Sequence, residues 1–231
     1  MEDFEKKGKL FVIEGSDASG KETQSKQLSK RLRRDGITSQ IFDFPRYETP
    51  TGNILKRYLG KGPYQQEFGP AHELNPRVAS VFFALDRHAA KKEMERYLED
   101  GFQVIANRYV ESNMAHQGGK IGDPKERAAL ISWIDELEYG NFALPRPDKV
   151  IFLYVPLEVA LDLRKGRKEQ ADGHESNLEH LKNAEQTYLE LASTYHWTTI
   201  DCAPDKTIHS LRTIDDIADE VYNHVLEELA R

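Results

Sequence analysis

The chain has 231 residues, 39% hydrophobic and 31% charged, enough apolar material for a sizeable core and too much for a disordered segment. A formal net charge of -7 lacks the basic excess of a dedicated nucleic-acid binder, so no nucleic-acid partner is expected. The single cysteine, Cys202, excludes a disulfide framework. Met1–Lys9 carries no apolar signal stretch, and no apolar run reaches the roughly 18 residues of a membrane span, which reads as a cytoplasmic protein without a membrane partner.

In chain order, short runs rich in β-branched and aromatic residues alternate with longer segments of helical periodicity. Strands are predicted at Lys9–Glu14, Ser39–Phe44, Gln103–Asn107, Lys149–Val155 and Trp197–Asp201. Helices are predicted at Lys21–Asp35, Pro76–Asp100, Pro124–Glu138, Ser176–Tyr195 and Thr213–Ala230. Asp123-Pro124 makes a good helix start, because proline at the first helical position has no N–H to lose. Ser176 to Glu179 and Thr213 to Asp216 resemble capping boxes. Gln103–Asn107 and Lys149–Val155 are apolar on both faces, the pattern of strands covered by helices on either side. Gly60–Asn75 reads as a surface connection, and the charged stretch near 164–176 as a mobile lid between two helices.

Gly15-Ser16-Asp17-Ala18-Ser19-Gly20-Lys21 fits the phosphate-binding pattern G-x-x-x-x-G-K, and it lies between a predicted strand and a predicted helix. Its glycines let successive N–H groups turn toward phosphate oxygens. The helix N-terminus adds partial positive charge, and Lys21 reaches the β and γ phosphates. Together with the alternating β and α units, this predicts a single domain over 1–231. Its fold class is α/β, a three-layer α/β/α P-loop NTPase fold on a five-stranded parallel sheet. The position after Lys21 ordinarily carries a magnesium-ligating hydroxyl; here it is Glu22, and Thr23 stands one residue late. A carboxylate beside a triphosphate is repelled by roughly 1–4 kcal/mol without an intervening cation. Glu22 therefore either ligates the metal or swings away.

Further segments suit a small dianionic ligand. Phe44-Pro45-Arg46 follows the second strand, and an arginine there offers a planar fork to a phosphate. Phe83 and Arg87 stand four apart and share a helix face. The run from Asn107 to Gly118 begins at the carboxyl end of a strand, where α/β sheets bind ligands. Arg164 to Lys168 gathers cations ahead of Asp172-Gly173-His174-Glu175. Plainer readings stand beside these: a turn residue for Asp17, a solvated loop arginine for Arg46, core for Phe82 and Phe83, an ion-pair partner for Arg108, and a solvated helix end for the cation run.

In order and type, from Leu10 to about Leu191, these segments resemble the thymidylate kinase family of nucleoside-monophosphate kinases. The resemblance implies transfer of the γ-phosphoryl group of ATP to dTMP, giving dTDP and ADP, with Mg2+ as cofactor and a homodimer as the assembly. By it, Gly15, Ser16, Asp17, Ala18, Ser19, Gly20, Lys21, Glu22 and Thr23 serve ATP, and Asp17 also lies near the acceptor sugar. Phe44, Pro45 and Arg46 approach the monophosphate, Phe83 stacks on thymine, and Arg87 holds the pyrimidine edge. Arg108 grips the acceptor phosphate, Ser112 and Gln117 face the base, and Tyr109 and His116 belong to the same acceptor segment. Lys21, Arg108, Arg164 and Arg167 are the expected catalytic cations. The acceptor is already an anion, so no general base is expected.

The chain departs from the family pattern at Asn107, where an aspartate is usual, and at His116, where another aromatic is usual. It also lacks the lid arginine between Asp172 and Glu175. Glu22 gains the carboxylate that Asn107 lacks, so Glu22 is expected to supply the charge directed at the metal. The alternatives are a kinase for another deoxynucleoside monophosphate and a catalytically inactive nucleotide-binding protein. A GTPase switch lacks its Asn-Lys-x-Asp motif.

Overall fold

The structure, a computed structural model, describes residues 7–165 and 177–231. β1 (Leu10–Gly15), β2 (Ser39–Asp43), β3 (Gln103–Asn107), β4 (Lys149–Tyr154) and β5 (Thr198–Asp201) form one sheet in the order β2-β3-β1-β4-β5. Every pairing is parallel. Each predicted strand is present with ends within one residue of expectation. All six residues of β1 are buried, as suits a central strand with apolar residues on both faces.

Successive side chains of a strand point to opposite faces, so β1 feeds two cores. Phe11 and Ile13 join Ile105, Ile151 and Leu153 beneath α1 (Lys21–Arg34) and α8 (Ile214–Leu229). Leu10 and Val12 join Val104, Ala106 and Phe152 on the other face. That face is covered by α3 (Pro76–Glu99), α4 (Val110–Gly118), α5 (Pro124–Asp135) and α7 (Leu178–Thr194). Each such apolar side chain contributes roughly 1.5–3 kcal/mol by burial, which is what holds the three layers together.

Helix starts follow their caps. Asp123 accepts from the N–H groups of Lys125 and Glu126 at 2.9 Å, with Pro124 at the first helical position. Thr213 accepts from Asp216 N–H at 3.2 Å. Asn177 caps α7 through His180 N–H at 2.9 Å, so this helix opens at Leu178.

The sequence reading did not foresee α2 (Pro50–Leu59), α4 or α6 (Leu157–Lys165) as separate helices. They are short, and tertiary burial rather than propensity sustains them. α2 starts at Thr49, whose hydroxyl accepts from Gly52 N–H, and buries Leu55, Tyr58 and Leu59. Glycine at position 52 is required, because a Cβ there would lie 1.8 Å from the Arg46 carbonyl oxygen. The predicted helix ending at Glu138 is α helix only to Asp135. The chain then widens into a π-helical turn, Glu136–Asn141. Of the expected lid at 164–176, only Arg164 and Lys165, at the end of α6, lie among the described residues.

Candidate active site

The loop from Gly15 to Lys21 joins β1 to α1 at the carboxyl edge of the sheet. Ala18 and Gly20 take positive φ values of 68° and 83°, which turn the loop back on itself. A Cβ on Gly15 would lie 2.4 Å from Ser19 Oγ and 2.7 Å from Leu153 O, so only glycine fits. Among the described residues no side chain caps the N-terminus of α1, leaving its first N–H groups to serve an anion. Lys21 is largely buried, and its ammonium donates to Ser16 O at 2.6 Å.

Glu14, the residue before the loop, went unnoticed in the sequence because it reads as part of an apolar strand. It is fully buried. One oxygen accepts from Tyr109 N–H at 2.9 Å and Ser112 N–H at 3.1 Å. The other accepts from Ser112 Oγ at 2.8 Å and Tyr188 Oη at 3.0 Å. Glu14 thus ties β1 to the first turn of α4, and with it the strand-end residue Arg108. Arg108 has φ 66°, a left-handed conformation costing an arginine roughly 1–2 kcal/mol. Such strain concentrates at functional positions.

Arg108 pairs through Nη2 with Asp17, while Nη1 donates to Ser112 Oγ at 3.2 Å and Tyr188 Oη at 3.4 Å. Burial works against both charges. The mutual attraction wins, aided at Asp17 by Lys21, so the Asp17 carboxyl is held well below its usual range and the Arg108 guanidinium well above its own.

Beside the loop opens a cavity of about 430 Å³. Of the residues anticipated from sequence, Asp17, Phe44, Pro45, Phe83, Arg87, Arg108, Ser112 and His116 line it, with Glu22 at its border. Phe83 forms a wall while its neighbour Phe82 packs outward against Phe68, ring centroids 4.9 Å apart. Arg87 donates through Nε and Nη2 to the buried Glu138 at 2.5 and 2.6 Å. Burial opposes the Arg87 charge, but Glu138 outweighs it and raises the guanidinium pKa. His116 stacks on His180, with Nδ1 3.4 Å from His180 Nε2. Burial, then the Arg108 cation, keeps His116 neutral, and burial pushes His180 down to about 4.

Other anticipated residues are placed differently. Arg46 does not line the cavity: its N–H is pinned to Asp86 Oδ2 at 2.7 Å just after the cis Phe44–Pro45 bond, and Tyr47 faces the cavity instead. The Lys61 ammonium lies over the Tyr47 ring at 4.6 Å, bringing a cation to that wall. Tyr109 is fully buried, its hydroxyl donating to Pro145 O at 3.1 Å. Gln117 is fully buried outside the cavity lining, and among the described residues neither end of its amide has a partner. Thr23 is exposed on α1, and Glu22 is exposed with Oε1 2.5 Å from Lys26 Nζ. Arg164 borders a smaller hollow with Ser16, Asp17, His116 and Tyr188. Arg167 lies outside the described residues.

Asp43 and Asn113 also line the cavity, and neither was anticipated as a site residue. Asp43 stands opposite Asn107 in the β2–β3 register and accepts from Asn107 Nδ2 at 2.8 Å. The carboxylate absent from position 107 is therefore available one strand over.

A parallel sheet with a phosphate loop after its first strand, opening beside an arginine-lined cavity, defines a P-loop nucleotide-binding protein. The family model for thymidylate kinase matches residues 13–211. Over 225 residues the chain is 28% identical to the thymidylate kinase of Plasmodium falciparum, covering 97% of this chain and 93% of that one. It is 33% identical to a probable thymidylate kinase of Pyrobaculum calidifontis, covering 83% and 86%. The solved structure of the Candida albicans thymidylate kinase superposes with a TM-score of 0.73 at 25% identity, covering 96% of this chain and 92% of that one. The chain belongs to the thymidylate kinase family.

Proposed function

We propose that the chain phosphorylates dTMP with ATP, giving dTDP and ADP, in the cavity beside the phosphate loop. The observation that carries this reading is the placement of Arg108 and Asp17 between Lys21 and the cavity walled by Phe83 and Arg87. ATP phosphates sit on the loop from Gly15 to Lys21, and the acceptor monophosphate competes with Asp17 for the Arg108 guanidinium. Asp17, released in part, then accepts from a sugar hydroxyl, while Phe83 stacks on the base and Phe44, Pro45, Ser112 and His116 complete the walls. Lys61, Tyr47 and Arg46 support the phosphate end, Arg46 through the turn rather than by contact. Tyr109 and Gln117 act from behind the wall. Two arginines on the acceptor side would serve no purpose in a protein that merely binds ATP.

Transfer needs in-line positioning, neutralised phosphoryl oxygens and a dry site more than covalent help. Lys21 and Arg108 supply cations from the loop and from the end of β3, and Arg164 supplies one from the end of α6; the sequence expectation adds Arg167 to them. The cavity lining fits Mg2+: the carboxylates of Asp43 and Glu22 and the buried Oδ1 of Asn107, without a partner among the described residues, are hard oxygen donors. They would hold the ion together with ATP phosphates, and the bound ion neutralises charge on the transferring group.

Val78 and Leu85, seven apart on α3, are 45% and 37% exposed, and Phe68, packed on Phe82 of the same helix, is 42% exposed. This stripe supports a homodimer through α3, and light scattering on Leu85→Glu is expected to return a monomer. No helix among the described residues is long and apolar enough to cross a membrane, and we place the enzyme in the cytoplasm.

Coupled ADP release with ATP, Mg2+ and a panel of dTMP, dUMP, UMP, dCMP and dGMP tests the function. Turnover concentrated on dTMP is expected. Turnover on another monophosphate would move the substrate, and ATP binding without turnover would overturn the kinase reading.

A further inference from the structure

Glu138 is fully buried, and the π-helical turn carries it into the wall between α3 and α4. Irregular turns of this kind recur at functional sites. Its carboxylate meets two residues of the cavity at once. Arg87 donates to it through Nε and Nη2, and Asn113 Nδ2 donates to Oε1 at 2.7 Å. Asn113 Nδ2 also donates to the Ser80 carbonyl at 3.2 Å. Asn113 is 2% exposed, and its Oδ1 has no hydrogen-bond partner among the described residues.

These contacts leave one amide orientation. Glu138 as a carboxylate and the Ser80 carbonyl can only accept, so both demand the NH₂ group of Asn113. A flipped amide would set its oxygen against two acceptors. Oδ1 therefore remains for the cavity. On Arg87, the Nε N–H and one N–H of Nη2 go to Glu138, which leaves the Nη1 side of the guanidinium to donate to a ligand. The inner wall thus offers a fixed acceptor beside a fixed donor.

We propose that Glu138 is a positioning residue that makes this wall selective for bases presenting a carbonyl next to a ring N–H, as thymine does at O4 and N3. Cytosine presents the reverse pair, an amino donor beside a ring acceptor, and meets Arg87 donor to donor and Asn113 acceptor to acceptor. Leaving buried polar groups unpaired in this way is what gives a site strong discrimination. A neutral glutamine at position 138 can donate as well as accept, so the Asn113 amide is held only by the longer 3.2 Å bond to the Ser80 carbonyl and its orientation is less firmly fixed.

The inference rests on the dTMP reading, and binding measurements separate the two. Nucleotide dissociation constants by calorimetry, without ATP, are measured for dTMP and dCMP on wild type, Glu138→Gln, Asn113→Ala and the double variant. ADP release follows on the same proteins. Glu138→Gln is expected to shrink the dTMP-over-dCMP preference about tenfold or more, with the larger part of the loss in dTMP binding and KM. KM for ATP should stay in place. The double variant should discriminate no worse than Asn113→Ala alone, because Glu138 acts through Asn113 and Arg87. Additive losses, or a folded Glu138→Gln that keeps wild-type preference, would overturn the proposal. Should Glu138→Gln not fold, an undiminished preference in Asn113→Ala overturns it equally. Wild type that binds dTMP selectively without turnover would sink the kinase reading and leave the role of Glu138 standing.

Discussion

The buried carboxylate of Glu14 is the sharpest place to test how the site is assembled. In Glu14→Ala the N–H groups of Tyr109 and Ser112 lose their acceptor in a region closed to water. Each orphaned buried donor costs about 1–3 kcal/mol, so the pair costs about 2–6 kcal/mol. The hydroxyls of Ser112 and Tyr188 lie 3.0 Å apart, so one can donate to the other and at most one hydroxyl proton is left without an acceptor. For a domain of this size 1 kcal/mol moves Tm by roughly 2–4 °C, and Glu14→Ala is expected to lower it by about 5–20 °C. In Glu14→Gln the amide oxygen keeps both backbone donors, and the two hydroxyls can turn to accept from its NH₂. The expected loss is about 1 kcal/mol, roughly 3 °C. Differential scanning calorimetry reads both. Acceptor kcat/KM should fall with Glu14→Ala, since Arg108 loses its anchor, and largely persist in Glu14→Gln. A Glu14→Ala protein melting within 2 °C of wild type, or a glutamine variant as damaged as the alanine one, would refute this hydrogen-bond account.

Glu111 is buried, shares a hydrogen bond with Tyr139 Oη at 2.8 Å, and has its carboxyl pushed up to about 7, first by burial and then by Glu14. The folded state then holds the proton more tightly than the unfolded state, so this group loses stability as pH rises from about 4.5 to 7. The loss is at most roughly 3 kcal/mol. Glu111→Gln should therefore melt higher than wild type at pH 8 and close to it at pH 4.5. His180, pushed down to about 4 by burial, acts with the opposite sign: its contribution is lost as pH falls from about 6.5 toward 4, and His180→Gln should flatten that acid limb. Burial pushes the Cys202 thiol up to about 12, so native protein should resist aromatic disulfide reagents at pH 8 and react promptly once unfolded in guanidinium. Lys21 donates to Ser16 O at 2.6 Å within the loop that takes the ATP phosphates, so Lys21→Met should cut kcat by roughly 10²–10³-fold, read in the coupled ADP-release assay.

Much of this molecule is legible locally. The apolar runs of β3 and β4 have burial on both faces written into their composition, and the glycines and lysine of the phosphate loop stand at fixed spacing between a strand and a helix. Those signals, together with the arginines at positions 87 and 108, were enough for sheet, layers and family, because they depend on neighbours within a few residues. The wall of the acceptor site was decided elsewhere. Glu14 reaches Ser112 across 98 positions, Arg87 reaches Glu138 across 51, and Asp43 reaches Asn107 across 64. A buried carboxylate inside a strand or a helical stretch looks the same in sequence whether or not it has donors to satisfy. Register between β2 and β3 put Asp43 opposite Asn107, and a turn pinned by Asp86 exchanged Arg46 for Tyr47 at the cavity. A π-helical widening aimed Glu138 inward. Local periodicity thus determined the five strands and the long helices and which way they face, while the short α2, α4 and α6 waited on tertiary burial. The pairing of buried polar groups, which must be satisfied once water is excluded, was determined only when the chain closed on itself.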